Sequence, residues 1–141
     1  MKKRRIVYLV LTAAMLCFIW GNSSMSGADS GELSGEVLKL VAPLLAPFGS
    51  KAEFVLRKLA HFSEFSLLGF LLAGLTRPET PRFWLTRPLF LGLAAACMDE
   101  TIQIYSPGRA SSLMDVWLDF SGVTLGVLVS LLVYALLSRK K

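Results

Sequence analysis

Residues 113–137 read LMDVWLDFSGVTLGVLVSLLVYALL, and the only charges in that stretch are Asp115 and Asp119, both near its start. An apolar run longer than about 18 residues is read as a membrane-spanning helix rather than a core helix of a soluble domain. Projected at about 100° per residue, Asp115, Asp119, Gly122 and Gly126 fall on one narrow stripe. The stripe predicts a helix that is polar at its upper end and open below to close approach by a neighbour, as small residues allow in membrane bundles.

Working outward, further apolar segments predict spans at about 6–20, 54–76 and 85–105, so the expected fold is an all-α integral membrane bundle of four transmembrane helices. The segment 6–20 is short for a span, but Arg5 can snorkel and Trp20 suits an interface; a cleaved signal peptide is the competing reading. Between spans one and two, Leu33, Val37, Leu40, Val41, Leu44 and Leu45 recur at helical spacing. They predict a short interfacial amphipathic helix that stops around Pro43 to Pro47. Arg77 to Arg82, with two prolines, reads as a turn, as does Ser106-Pro107-Gly108-Arg109. Ser112 is positioned to cap the last helix, with Asp115 three residues on. Trp84, Tyr105 and Trp117 read as interfacial anchors.

Bulk composition agrees. Of 141 residues, 54% are hydrophobic, and the mean hydropathy is +0.58. The net charge of +5 does not indicate a nucleic-acid partner, because the basic residues gather at helix ends rather than on one face. Cys17 and Cys97 lie in apolar runs and read as small buried hydrophobes. The whole chain, 1–141, reads as one membrane domain.

Lysine and arginine placement predicts the orientation. With both termini in the cytoplasm, the inner segments hold Lys2, Lys3, Arg4, Arg5, Arg77, Arg82, Arg87, Arg139, Lys140 and Lys141, ten of the fifteen basic residues. Lys39, Lys51, Arg57, Lys58 and Arg109 then lie outward.

That topology sets the depth of every ionisable group. Arg57, Lys58, His61 and Glu64 fall in the outer half of span two, and Asp99, Glu100 and Gln103 in the outer half of span three. Asp115 and Asp119 open span four, and Arg109 sits in the turn between. A charge at a span centre costs roughly 2.5 to 3.5 kcal/mol on insertion scales, so these groups are expected to meet rather than to face lipid. Arg57, His61 and Glu64 share about 60° of arc on their helix.

The simplest account is mutual ion pairing, with Arg57 or Lys58 on Asp99 or Glu100, and Arg109 on Asp115. Three functional chemistries compete with it. Glu64, Asp99, Glu100, Asp115 and Asp119, with His61, could ligate a divalent cation, although no cofactor is required by any motif. Arg57, Lys58 and Arg109 could grip a phosphate or carboxylate, with His61, Gln103, Asp115 and Asp119 completing a ligand-binding site. His61 beside Glu64, Asp99 or Glu100 could instead act as a general base in catalysis. There is no phosphate-binding glycine loop, no serine nucleophile elbow and no HExxH zinc motif. Ser111 and Ser112 could be nucleophiles, but helix capping explains Ser112 better.

Four pieces occur in order: Lys58-Leu59-Ala60-His61-Phe62-Ser63-Glu64-Phe65, Asp99-Glu100-x-x-Gln103, Pro107-Gly108-Arg109, and Asp115-Val116-x-x-Asp119-x-x-Gly122-x-x-x-Gly126. Together they resemble the VanZ-like family, over roughly residues 6 to 137. Those are small multi-spanning bacterial proteins named after an accessory teicoplanin-resistance factor. Phe65 stands where the family usually has tyrosine, which removes a hydroxyl. The resemblance implies a multi-pass protein of the bacterial cytoplasmic membrane, acting in cell-envelope physiology and in glycopeptide tolerance. With the outward polar cluster, it leads to an expected partner: an anionic lipid or a lipid-linked cell-wall precursor. The alternatives are an intramembrane transferase or hydrolase acting on a lipid head group, or a structural subunit of a membrane complex.

Overall fold

The computed structural model describes residues 2–76 and 84–138. Among them are five α-helices and one 3-10 segment, and no strand. The helices are α1 (Lys2–Ser23), α2 (Gly27–Leu45), α3 (Ala52–Leu75), α4 (Thr86–Tyr105) and α5 (Leu113–Ser138), with the 3-10 segment Ala46–Lys51 leading into α3. The turn expected at Arg77–Arg82 and the basic end at Arg139, Lys140 and Lys141 lie outside the described residues.

Three segments are long and apolar enough to cross a membrane: Lys3–Ser23, Gly27–Leu75, which joins α2 to α3, and Leu113–Ser138. The fourth expected span, α4, has the length at 20 residues. It is not among the three, and its Arg87, Asp99, Glu100 and Gln103 are the polar load on an otherwise apolar helix.

Helix α3 is the central element and packs along α5, α1 and α4. Its contact with α5 is the most extensive because glycines remove the side chains that would separate the two backbones. A Cβ on Gly126 would overlap the carbonyl oxygen of Ser66, and one on Gly69 would overlap that of Val123. The neighbour expected against the glycine stripe is therefore α3. The core around this contact contains Ile19, Phe65, Leu68, Leu72, Ala96, Val123 and Val127. Phe65 is fully buried there, where a hydroxyl would need a hydrogen-bond partner among apolar neighbours.

Large apolar side chains also cover the outside. Ile6, Val10, Phe90, Leu128, Leu132 and Leu136 are all more than half exposed. An apolar exterior of this extent is expected of a protein whose solvent is lipid. Helix α1 contributes the buried Ile19 to the core, so it is part of the bundle.

Several local expectations are corrected. Cys17 and Cys97 are free and exposed on the bundle exterior, not buried. Trp20 turns inward, its Nε1 donating to the carbonyl of Ala95 at 3.4 Å, which links α1 to α4. The amphipathic helix is longer than its leucine pattern suggested. It starts at Gly27, where the Ser26 hydroxyl accepts from the Asp29 amide at 3.1 Å, and it carries Pro43 in its last turn. Leu40 and Leu44 on α2 remain largely exposed.

Candidate functional site

At one end of the bundle two turns dock on each other. The Gly27 amide donates to the Pro107 carbonyl at 2.8 Å, and the Ser106 hydroxyl donates to the Ser23 carbonyl at 2.8 Å. Gly108 takes a positive φ of 73°, and a Cβ on Gly27 would overlap its carbonyl. Arg109 completes the joint, its Nη2 donating to the Asn22 carbonyl at 2.9 Å and its Nε to the Met25 carbonyl at 3.4 Å. A carbonyl in the last turn of α1 and one in the turn beyond it are thus satisfied by a side chain from the α4–α5 turn.

Below this joint the ionisable groups converge. His61 Nδ1, on α3, lies 3.9 Å from Asp99 Oδ2 on α4 and 3.7 Å from Asp119 Oδ1 on α5. Gln103, one turn along from Asp99, donates to Asp99 Oδ2 at 2.8 Å. Both aspartates are buried, and neither oxygen of Asp119 has a hydrogen-bond partner; the same is true of Asp99 Oδ1. The buried Ser23 hydroxyl faces Asp99 without completing a hydrogen bond.

The ion pairs differ from those expected. Lys58 pairs with Asp115, rather than with Asp99 or Glu100, and its ammonium also lies 5.2 Å from the centre of the Phe54 ring. Arg109 is held by backbone carbonyls and makes no pair with Asp115. Glu100 accepts the Ser112 amide at 2.8 Å, and the Ser112 hydroxyl accepts the Met114 amide at 3.2 Å. Ser112 therefore caps α5 as expected, but Glu100 of α4 occupies the place in the cap expected for Asp115.

These groups line a cleft of about 510 Å³ bordered by Phe54, Arg57, Lys58, His61, Arg109 and Asp119. Glu100, Gln103, Asp115 and Leu118 also reach it. Glu64 does not. It lines a second cleft of about 210 Å³ on the α1–α2 side, with Phe18, Leu33 and Val37. Arg57, His61 and Arg109 border both clefts. Arg57 makes no ion pair among the described residues. Of the sequence-predicted site residues, two do not line the main cleft: Glu64 is turned to the other cleft, and Asp99 is fully buried behind His61 and Gln103. The apolar wall from Phe54 and Leu118, and the carbonyls of Asn22 and Met25, had no signature in the sequence.

A family model described as VanZ/LLP1 matches residues 7–134. No curated protein and no solved structure matches the chain. The match spans α1 to α5 and includes every residue of the cleft, and the chain belongs to the VanZ-like family.

Proposed function

We propose that this protein spans the bacterial cytoplasmic membrane four times, with both termini in the cytoplasm, and binds the phosphate of an anionic envelope lipid in its outward cleft. The observation that supports the reading is the cleft itself, in which Arg57, Lys58 and Arg109 border one space at the end of the bundle away from the basic N-terminus. Of these cations Lys58 is neutralised by Asp115 and Arg109 is anchored to carbonyls. Arg57 is left as the principal anion contact. A guanidinium offers paired donors matched to phosphate oxygens.

Helix α4 crosses with the others in this reading, its polar residues tolerated because they face the bundle. The basic N-terminus and the basic residues flanking α4 on the opposite side support the orientation. Membership of the family supports a role in envelope physiology that includes tolerance of glycopeptides such as teicoplanin. The lipid is a phospholipid or a polyprenyl-linked cell-wall precursor; both present anionic phosphate oxygens.

Native mass spectrometry on the purified chain tests this. Phosphatidylglycerol and a polyprenyl phosphate are offered in separate arms against phosphatidylcholine. Retention of either anionic lipid over phosphatidylcholine, weakened about tenfold by Arg57→Gln, is the expected result. Equal retention of all three lipids, or no effect of Arg57→Gln, would contradict it.

His61 between two carboxylates favours a second reading, an intramembrane hydrolase or transferase with His61 as base. It requires turnover: the purified protein would release a water-soluble head-group product from labelled lipid, and His61→Gln would stop it.

A further inference from the structure

Three side chains are arranged for a ligand of their own: His61 and Asp119 line the cleft, and Asp99 lies buried beside His61. One atom each from His61, Asp99 and Asp119 lies within 4.8 Å of the others. The separations of 3.7 and 3.9 Å from His61 Nδ1 are too long for hydrogen bonds. They suit donors grouped around a central cation, whose bonds to nitrogen and oxygen are about 2.0 to 2.2 Å.

Buried carboxylates do not ordinarily stand without partners. Asp119 is 1% exposed, and both its oxygens are unpartnered. Among the described residues no lysine or arginine reaches it, because Lys58 is committed to Asp115 and Arg109 to the α1–α2 turn. Gln103 fixes the orientation of Asp99 through Oδ2, as outer-shell partners of metal-ligating carboxylates do.

We propose that His61 Nδ1, Asp99 and Asp119 bind a divalent first-row transition-metal ion. An imidazole nitrogen among carboxylates selects zinc or manganese over magnesium or calcium, which prefer oxygen alone. The two carboxylates match the charge of the ion, and Asp115 neutralises the nearby Lys58. Three protein donors leave at least one coordination position open toward the cleft. Glu64, Glu100 and Asp115 take no part: Glu64 faces the other cleft, Glu100 caps α5, and Asp115 holds Lys58. The metal site does not depend on lipid binding and stands or falls separately.

The test uses the full chain purified in detergent, stripped with chelator, loaded with Zn²⁺ or Mn²⁺, and assayed for metal by elemental mass spectrometry. One equivalent is expected per chain, with Mg²⁺ not competing. Asp119→Asn and Asp99→Asn should abolish it, Gln103→Leu should weaken it by about tenfold, and Glu64→Gln should leave it unchanged. Thermal unfolding separates lost binding from lost folding. Chelator should lower the melting temperature of the wild type and not that of Asp119→Asn, a variant spared an unpaired buried charge. Substoichiometric metal at saturating Zn²⁺ and Mn²⁺ would overturn the proposal. So would metal bound equally by the wild type and Asp119→Asn, or a melting temperature indifferent to chelator in the wild type.

Discussion

Nδ1 of His61 lies 3.7 Å from Oδ1 of Asp119, across the contact between α3 and α5, and no hydrogen bond joins them. That gap exists because Gly122 and Gly126 let α5 approach α3 closely just below Asp119, while the Lys58–Asp115 pair closes the contact above it. The site is thus a consequence of how two helices pack, and the predictions below test the packing and the polar groups in turn.

Gly126→Ala places a methyl group into the Ser66 carbonyl, and the helices must separate. Overpacking of this kind costs about 1 to 3 kcal/mol. Gly21→Ala, on α1, meets nothing within 4 Å and should be neutral or raise stability by up to about 1 kcal/mol. Denaturant titration in micelles would measure both, and equal effects would argue against the close α3–α5 contact.

The Lys58–Asp115 pair is partly exposed, at 31% and 21% for the two side chains. A double-mutant cycle of Lys58→Met and Asp115→Asn should give a coupling of about 1 to 2 kcal/mol, between the values for surface and buried pairs. A coupling near zero would show that the two groups do not meet.

Arg109→Leu removes the donors to the Asn22 and Met25 carbonyls. The α1–α2 turn should open, read as faster hydrogen exchange at residues 24–30. Exchange at the centre of α5, around Val123, should not change. Arg109→Lys, without the planar fork, should recover only part of the protection.

Glu100→Gln keeps an acceptor for the Ser112 amide, whereas Glu100→Leu leaves that amide without one. The leucine variant should be less stable than the glutamine variant by about 1 to 2 kcal/mol, measured by thermal unfolding. Identical stability would show that Glu100 does not cap α5.

Much of this was legible in the residues. Periodicity placed the helices because an apolar run has few alternatives to helix in lipid, and the cost of membrane charges required the polar groups to meet. The stripe through Asp119, Gly122 and Gly126 pointed correctly to a closely packed partner. Pairing was not legible. Lys58 could reach any of several carboxylates, and which one it meets depends on helix rotation and crossing angle, which no single helix encodes. Glu64 shows the same limit: it shares an arc with His61, yet about a sixth of a turn was enough to send it to the α1–α2 side. Arg109 resembled a ligand contact because its charge is visible in sequence, whereas the carbonyls it serves are not.

The most direct test of the proposed outward anion site is a solid-state NMR measurement of phosphorus-to-nitrogen dipolar dephasing. It would use ¹⁵N-arginine-labelled protein in bilayers containing phosphatidylglycerol. A dephased guanidinium signal that disappears in Arg57→Gln is the predicted result. A dephased signal that persists unchanged in Arg57→Gln, or none at all with the lipid in excess, would contradict the account.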